Sequence, residues 1–256
     1  MDVKRSVEKQ FAAVAANYAS HPVMASGPEL GRMVELGVRS GAERVLDLGC
    51  GAGHTALAFA PKVAEVVAVD LAEAMLTEGR RLAGERGIGN IDFRLGDVEQ
   101  LALPDSSFEV VTSRFSAHHY PAPERALAEV VRALRPGGSF LLVDSVAPEA
   151  HGCDSFLNAI EVLRDLSHVR DHRVSEWEAM FAAAGLTPVV HQRWGLELDF
   201  DSWVERIGTP DPEISALRRL MDRSPAEVRE ALAIGRPGPY DFSMPLALLQ
   251  GTQTAS

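Results

Sequence analysis

The feature that most constrains the fold is the stretch VLDLGCGAGHT, residues 45–55. A short apolar run ends in Gly49-Cys50-Gly51-Ala52-Gly53, and a helical pattern begins at once. A brief apolar run bounded by turn residues reads as a strand covered on both faces. Glycines between a strand and a helix permit a tight turn and let a ligand approach the backbone closely. An ordinary strand-to-helix turn can also be glycine-rich, so the loop alone names no ligand.

The same rhythm recurs. RVLDLG (44–49), EVVAVD (65–70), IDFRLGD (91–97), FEVVTSRF (108–115) and GSFLLVDSV (138–146) are strand-like. Helical patterns start near 53 and span 72–86 and 122–135. Such alternation predicts an α/β fold, a doubly wound Rossmann-like parallel sheet with right-handed crossovers. Two helices are expected at 3–18 and 28–39, ahead of the first strand. After 147 come helices within 154–169 and 175–185, a sixth strand at 187–198, helices across 199–236 and a last strand within 240–253. Ser175 with Glu178 reads as a capping box, and Pro225 as the first residue of a helix capped by Ser224. Pro245 favours an edge position for the last strand. A single domain is expected over 1–256, with N-terminal helices at 1–40, a core at 41–147, and cap segments plus two strands at 148–256.

Composition excludes some partners. The 36 acidic against 25 basic side chains give a net charge of −11, which disfavours nucleic acid and anionic membrane surfaces. No apolar stretch reaches the length of a membrane span or a signal peptide. The two cysteines, Cys50 and Cys153, suit a reducing, cytoplasmic setting.

Three acids sharpen the glycine loop. Asp70 closes the second strand, where a carboxylate can accept both hydroxyls of a ribose or cap the next helix. Asp97 follows the third strand and can accept an exocyclic amine, with Leu71 and Val98 as apolar walls. Asp47, inside the first strand, needs donors from the loop or a ligand cation. No lysine follows the loop, so it is not a P-loop. A dinucleotide fingerprint would place glycine at 54, where His54 stands. The acids suit an adenosine that carries positive charge rather than phosphates.

VLDLGCGAGHT, VVAVD, GDVEQLALPDSSFEVV and ALRPGGSFLLVD together resemble class I S-adenosylmethionine-dependent methyltransferases. The likeness covers residues 40–147 and points to the ubiquinone/menaquinone-biosynthesis C-methyltransferase group. HVRDHRVSEWEAMFAAAGL is similar to a bacterial branch of it. The resemblance implies a seven-stranded sheet of order 3-2-1-4-5-7-6 with the last strand antiparallel, and helical cap segments. It implies S-adenosyl-L-methionine as cofactor, contacted by Tyr18, Asp47, Gly49, Gly51, Asp70, Leu71, Met75, Asp97 and Val98. It further implies methyl transfer to an acceptor by in-line displacement.

The acceptor reads as a small molecule. The Asn/Asp-Pro-Pro-aromatic motif of adenine amino-methyltransferases is absent, since SRFSAHHY stands there. Neither cysteine follows a proline, as a cytosine C5 enzyme would require, and arsenite enzymes need more cysteines. The acceptor atom, carbon, oxygen or nitrogen, is left open, and a homodimer is compatible with the sequence.

Ligands bind beyond the carboxyl ends of strands in such sheets, so Ser113 and Arg114 are expected nearest the cofactor. His118 and His119 follow. Their side chains diverge, so one is expected to face the acceptor as a general base and the other to pack. Both could instead only order the loop. No zinc-like spacing exists among the histidines and cysteines, so no metal is expected. SHVRDHR (167–173) reads as a solvated connector or as a lid segment. Trp177 and Phe181 read as core, whereas Phe200, Trp194 and Trp203 could line an acceptor site or pack the cap. Two other classes stay open: a non-catalytic S-adenosylmethionine-binding or regulatory protein, and a nicotinamide-dependent oxidoreductase.

Overall fold

A computed structural model of the protein describes residues 3–254. Its sheet contains β1 (Arg44–Leu48), β2 (Glu65–Asp70), β3 (Ile91–Leu95), β4 (Phe108–Arg114), β5 (Leu134–Ser145), β6 (Leu186–Leu198) and β7 (Phe242–Gln253). Their order is β3-β2-β1-β4-β5-β7-β6. The first five strands pair in parallel, and β7 runs antiparallel to both of its neighbours.

Helices precede and cover the sheet: α1 (Val3–Ser20), α2 (Pro22–Ala25), α3 (Pro28–Gly37), α4 (His54–Phe59), α5 (Glu73–Glu85), α6 (Pro123–Ala133), α7 (His151–Arg164) and α8 (Val174–Ala183). Three more, α9 (Phe200–Ile207), α10 (Asp211–Asp222) and α11 (Ala226–Ala231), lie between β6 and β7. Alternate strand residues feed opposite layers. Leu46, Leu48, Val67, Val69 and Val111 pack with α6 and α8, where Trp177 and Phe181 are buried. Val45, Val66, Ala68 and Val110 pack with α3, α4 and α5. Each such fully buried valine or leucine contributes about 1.5–3 kcal/mol relative to exposure. Apolar burial on both faces is why these strands read as continuous apolar runs.

A third apolar cluster joins α7 to α9, α10 and α11 around Trp203, Phe200 and Phe242. Phe200 and Trp203 are therefore core residues of the cap. α7 departs from the carboxyl end of β5 and α9 from that of β6. The cap thus rises from the edge of the sheet where parallel strands end. Among the described residues no helix is long and apolar enough to cross a membrane.

Several local expectations are corrected. β7 is an interior strand, and β6 holds the edge. Pro245 is tolerated because the β5–β7 ladder closes one residue earlier, at Ser145 opposite Leu246. The helix expected to start at Pro225 starts at Ala226, and the Ser224 hydroxyl donates back to the Met221 carbonyl. α8 begins before Ser175, and its box uses Glu176, whose carboxylate accepts the Arg173 N–H. Ser175 instead donates its hydroxyl to Glu149. These positions were misjudged because one residue of offset moves a cap, and tertiary partners decide the offset.

Candidate active site

A cavity of about 930 Å³, mouth included, opens beyond the ends of β1, β2 and β4. Its floor is the glycine loop. Gly49 has φ +60°, and a Cβ there would meet the Ser116 hydroxyl at 2.5 Å. Gly53 has φ +77°, and a Cβ would meet the Phe93 ring at 2.7 Å. Both positions exclude side chains by backbone conformation and by space. The loop is fastened from below by Asp70. One of its oxygens accepts the Gly51 N–H at 2.8 Å and the other the Ala72 N–H at 2.9 Å. Burial pushes the Asp70 carboxyl upward, and these backbone bonds pull the other way.

Asp70, Leu71, Met75, Asp97, Val98, Gly49, Gly51, Arg114, Tyr18 and His119 all border the cavity. Asp97 has a partner that the sequence did not suggest: Lys4 of α1 reaches Asp97 at 2.7 Å and Glu99 at 2.6 Å. His54, where a dinucleotide loop would need glycine, is buried against the cavity with Nε2 3.4 Å from the Tyr18 carbonyl. The third glycine, which in a dinucleotide-binding turn lets the helix pack closely on the strand, is thus replaced by a buried imidazole, which counts against the nicotinamide alternative.

Three expected site residues stand behind the wall rather than in it. The Asp47 side chain is perpendicular to the sheet, where it accepts the Thr112 hydroxyl at 2.8 Å. Its other oxygen is buried without a partner among the described residues, and burial pushes the carboxyl up to about 7. Ser113 points to the opposite face, within hydrogen-bond distance of the Ser116 and Tyr120 hydroxyls. His118 is the third. Side chains inside a strand face the helical layers, while the cavity lies beyond the strand ends.

The two histidines part company within a 3-10 turn at Ala117–His119. His118 Nδ1 lies 2.6 Å from the Asp144 carboxylate, whose other oxygen accepts the Ala117 and His118 N–H groups. Burial alone would lower its pKa, but the Asp144 charge and hydrogen bond raise it to about 9. His118 is therefore an imidazolium at neutral pH. His119 borders the cavity, and its Nδ1–H donates to the Ser167 carbonyl at 3.0 Å. A carbonyl can only accept, so in the neutral ring Nε2 carries the lone pair, 4.0 Å from the Asp165 carboxylate. Burial first, then the His118 charge with ring centres 4.2 Å apart, lowers its pKa to about 4, and the Asp165 charge works against the lowering. His119 is neutral and basic at one nitrogen.

The SHVRDHR segment is not a solvated connector. The Val169 and Arg170 N–H groups donate to the His118 carbonyl at 2.9 and 3.0 Å, and His168 packs on the His118 ring. It braces the histidine turn from the cap side.

Other lining residues escaped the sequence reading. Val7 and Phe11 share one face of α1 with the expected Tyr18, and the three form the roof. Their helical spacing is legible, but only the fold shows what that face covers. Phe115 lines the cavity with φ +54°, an uncommon conformation for a bulky residue, and the Arg114 guanidinium lies 4.4 Å over its ring. Arg114 is held by buried Glu29 at 2.6 Å, a pairing across 85 residues that no local pattern announces.

Comparison with known proteins agrees with this geometry. The methyltransferase-domain profile matches residues 46–142. An uncharacterised methyltransferase of Bacillus subtilis, YcgJ, is 40% identical over 247 residues, 95% of this chain and 98% of that one. Its crystal structure superposes with a TM-score of 0.85, covering 89% of this chain and 98% of that one at 39% identity. A candidate methyltransferase of Bacillus halodurans reaches the same TM-score, 0.85, at 33% identity, covering 89% of this chain and 100% of that one. The ubiquinone/menaquinone biosynthesis C-methyltransferase of Methylobacterium nodulans is 41% identical over 120 residues, 45% of this chain and 47% of that one. With this sheet order, this glycine loop and a relative matched along nearly its whole length, the chain belongs to the class I S-adenosylmethionine-dependent methyltransferases.

Proposed function

We propose that the protein moves a methyl group from S-adenosylmethionine to a small-molecule acceptor at carbon, oxygen or nitrogen. One observation supports the reading: the cavity that Asp70 and Asp97 edge beside the glycine loop also has Phe11, Tyr18 and the neutral His119 on its wall. The donor set fits the cofactor. Asp70 and Asp97 offer carboxylates to hydroxyls and an amine, Leu71, Met75 and Val98 offer apolar walls, and no cation stands ready for phosphates in the loop. Asp47, with its orphaned oxygen under the loop, supports the cationic end from beneath. When bound, S-adenosylmethionine supplies an electrophilic methyl on a sulfonium.

The chain's own residues would do the rest. Tyr18, Phe11 and Val7 close the roof and exclude water, and the chamber holds the acceptor in line. His119 Nε2 takes the proton of an acceptor that must lose one. His118 stays charged against Asp144 and keeps His119 unprotonated. The C-methyltransferase relative is matched over less than half of either chain, so it supports the donor chemistry without fixing the acceptor. Two free cysteines fit a cytoplasmic setting.

Calorimetry tests the reading. S-adenosylhomocysteine is expected to bind at micromolar affinity and NAD to give no heat. An acceptor screen with labelled methyl donor should then find a methylated product. A heat with NAD and none with S-adenosylhomocysteine would discard the proposal.

The pH profile tests the histidine assignment. Turnover should fall as acid protonates His119, whose pKa of about 4 is set by burial and by the His118 charge. Removing that positive charge favours protonation, so the pKa must rise. His118→Asn is expected to move the acid limb of kcat/KM upward by about one pH unit or more. An unmoved limb would separate His118 from the chemistry.

A further inference from the structure

We propose that His54 is a cofactor-positioning residue, whose Nδ1 accepts an N–H of the α-ammonium at the amino-acid end of S-adenosylmethionine. The inference rests on the methyl-transfer reading and assigns the end of the donor that must be held for its methyl to point at the acceptor.

The nucleoside leaves little choice of place for that end. Asp70 closes β2 and Asp97 follows β3, so ribose and adenine fall on the β3–β2 side of the cavity. β1 and β4 come next in the sheet, and the wall there includes the glycine loop, His54 and Arg114. The amino-acid end must run along that wall. His54 opens α4, directly after the floor loop, and its Nε2 lies 3.4 Å from the Tyr18 carbonyl of the roof helix. The imidazole thus spans the wall from floor to roof.

His54 is only 8% exposed, and its Nδ1 is enclosed without a hydrogen-bond partner. Among the described residues it alone both borders the cavity and buries an unpartnered polar side-chain atom. The Tyr18 carbonyl can only accept, so in the neutral ring Nε2 carries the hydrogen and Nδ1 the lone pair. The neutral form is favoured. Burial is the main cause of the lowered pKa, and the Arg114 and Arg86 charges add to it against the pull of the Tyr18 and Ala19 carbonyls.

A buried lone pair without a donor is costly. An α-ammonium brings three N–H groups, and a charged donor makes the stronger kind of hydrogen bond. A carboxylate in the same place would set lone pair against lone pair. The ribose hydroxyls and the adenine amine are already directed to Asp70 and Asp97. The surrounding charges agree with a cation. Asp47 lies buried under the loop with one oxygen also unpartnered, and Glu29 neutralises Arg114 at 2.6 Å. Glycine at 54 could accept nothing from a side chain. The residue that breaks the dinucleotide pattern is thus the one that suits a donor ending in an amino acid.

The test is calorimetry on the full chain with S-adenosylhomocysteine, its deaminated analogue and methylthioadenosine, which lacks the amino-acid end. The unaltered chain is expected to bind S-adenosylhomocysteine about ten-fold or more tightly than the deaminated analogue. Two variants separate the ring nitrogens. His54→Asn keeps an acceptor oxygen near the Nδ1 position and gives up the Tyr18 bond, so it should keep most of that preference. His54→Gln keeps a donor toward Tyr18 and gives up the acceptor, so its preference should fall to about two-fold or less. Methylthioadenosine affinity should hold in both, which also reports a folded site. A residue that merely bridges to Tyr18 gives the reverse pattern, preference kept in His54→Gln and lost in His54→Asn, and that result would overturn the proposal. Equal binding of S-adenosylhomocysteine and its deaminated analogue by the unaltered chain would overturn it too, with no variant needed. An unaltered chain that binds neither S-adenosylhomocysteine nor methylthioadenosine would sink the methyl-transfer reading instead, so the two failures are distinct.

Discussion

His119→Ala is expected to lower turnover by about 10²–10⁴-fold while S-adenosylhomocysteine affinity changes by no more than about two-fold. The range corresponds to about 2.7–5.5 kcal/mol of transition-state stabilisation. Three observations support so large an effect. His119 borders the cavity, its Nδ1–H is fixed by the Ser167 carbonyl, and its remaining nitrogen is kept unprotonated by burial and by the His118 imidazolium. A base that is already deprotonated and already oriented needs no rearrangement to accept a proton. The Asp70 side of the cleft is untouched by the change, which is why cofactor affinity should hold. A melting curve identifies any loss that comes from the missing Ser167 anchor. Full turnover in a folded His119→Ala protein would mean that positioning alone carries the reaction and that the histidine turn is structural.

Asp70→Ala should weaken S-adenosylhomocysteine binding by about 1.5–3 kcal/mol, roughly 10–150-fold. Two losses add. The ribose hydroxyls lose a charged acceptor, and the Gly51 and Ala72 N–H groups lose the carboxylate that now accepts them. Asp70→Asn separates the two, since an amide oxygen still accepts one N–H but carries no charge. It is expected to retain more of the loop's order than of the affinity. Calorimetry on both variants reads the outcome. Unchanged affinity in Asp70→Ala would remove Asp70, and with it the cofactor assignment of the whole loop.

Much of the cofactor half was legible because its signals are local. Strand runs, the Gly49-to-Gly53 turn and the acids at strand ends depend on neighbours a few residues away. The sheet order followed from resemblance, and the structure has it. Asp47 and Ser113 stand behind the cavity wall for a simple reason: proximity in sequence to a strand end does not say which way a side chain stands. Asp47 answers to Thr112 across 65 residues, and Ser113 to Tyr120, which itself borders the cavity.

The acceptor half is written in long-range contacts. His118 and His119 are adjacent in the chain, and nothing in SAHHY says which of them meets the cavity. Asp144, 26 residues on, takes one, and Ser167, 48 residues on, takes the other. The roof joins α1 to the cap, where Gln10 donates to the Ile207 carbonyl across 197 residues. By itself the sequence determined the α/β alternation and the loop that can cradle a nucleoside, because periodicity and glycine conformation act within a few residues. Only the tertiary structure decided which histidine is charged and which is basic. Protonation and solvation depend on burial and on charges that distant segments bring together.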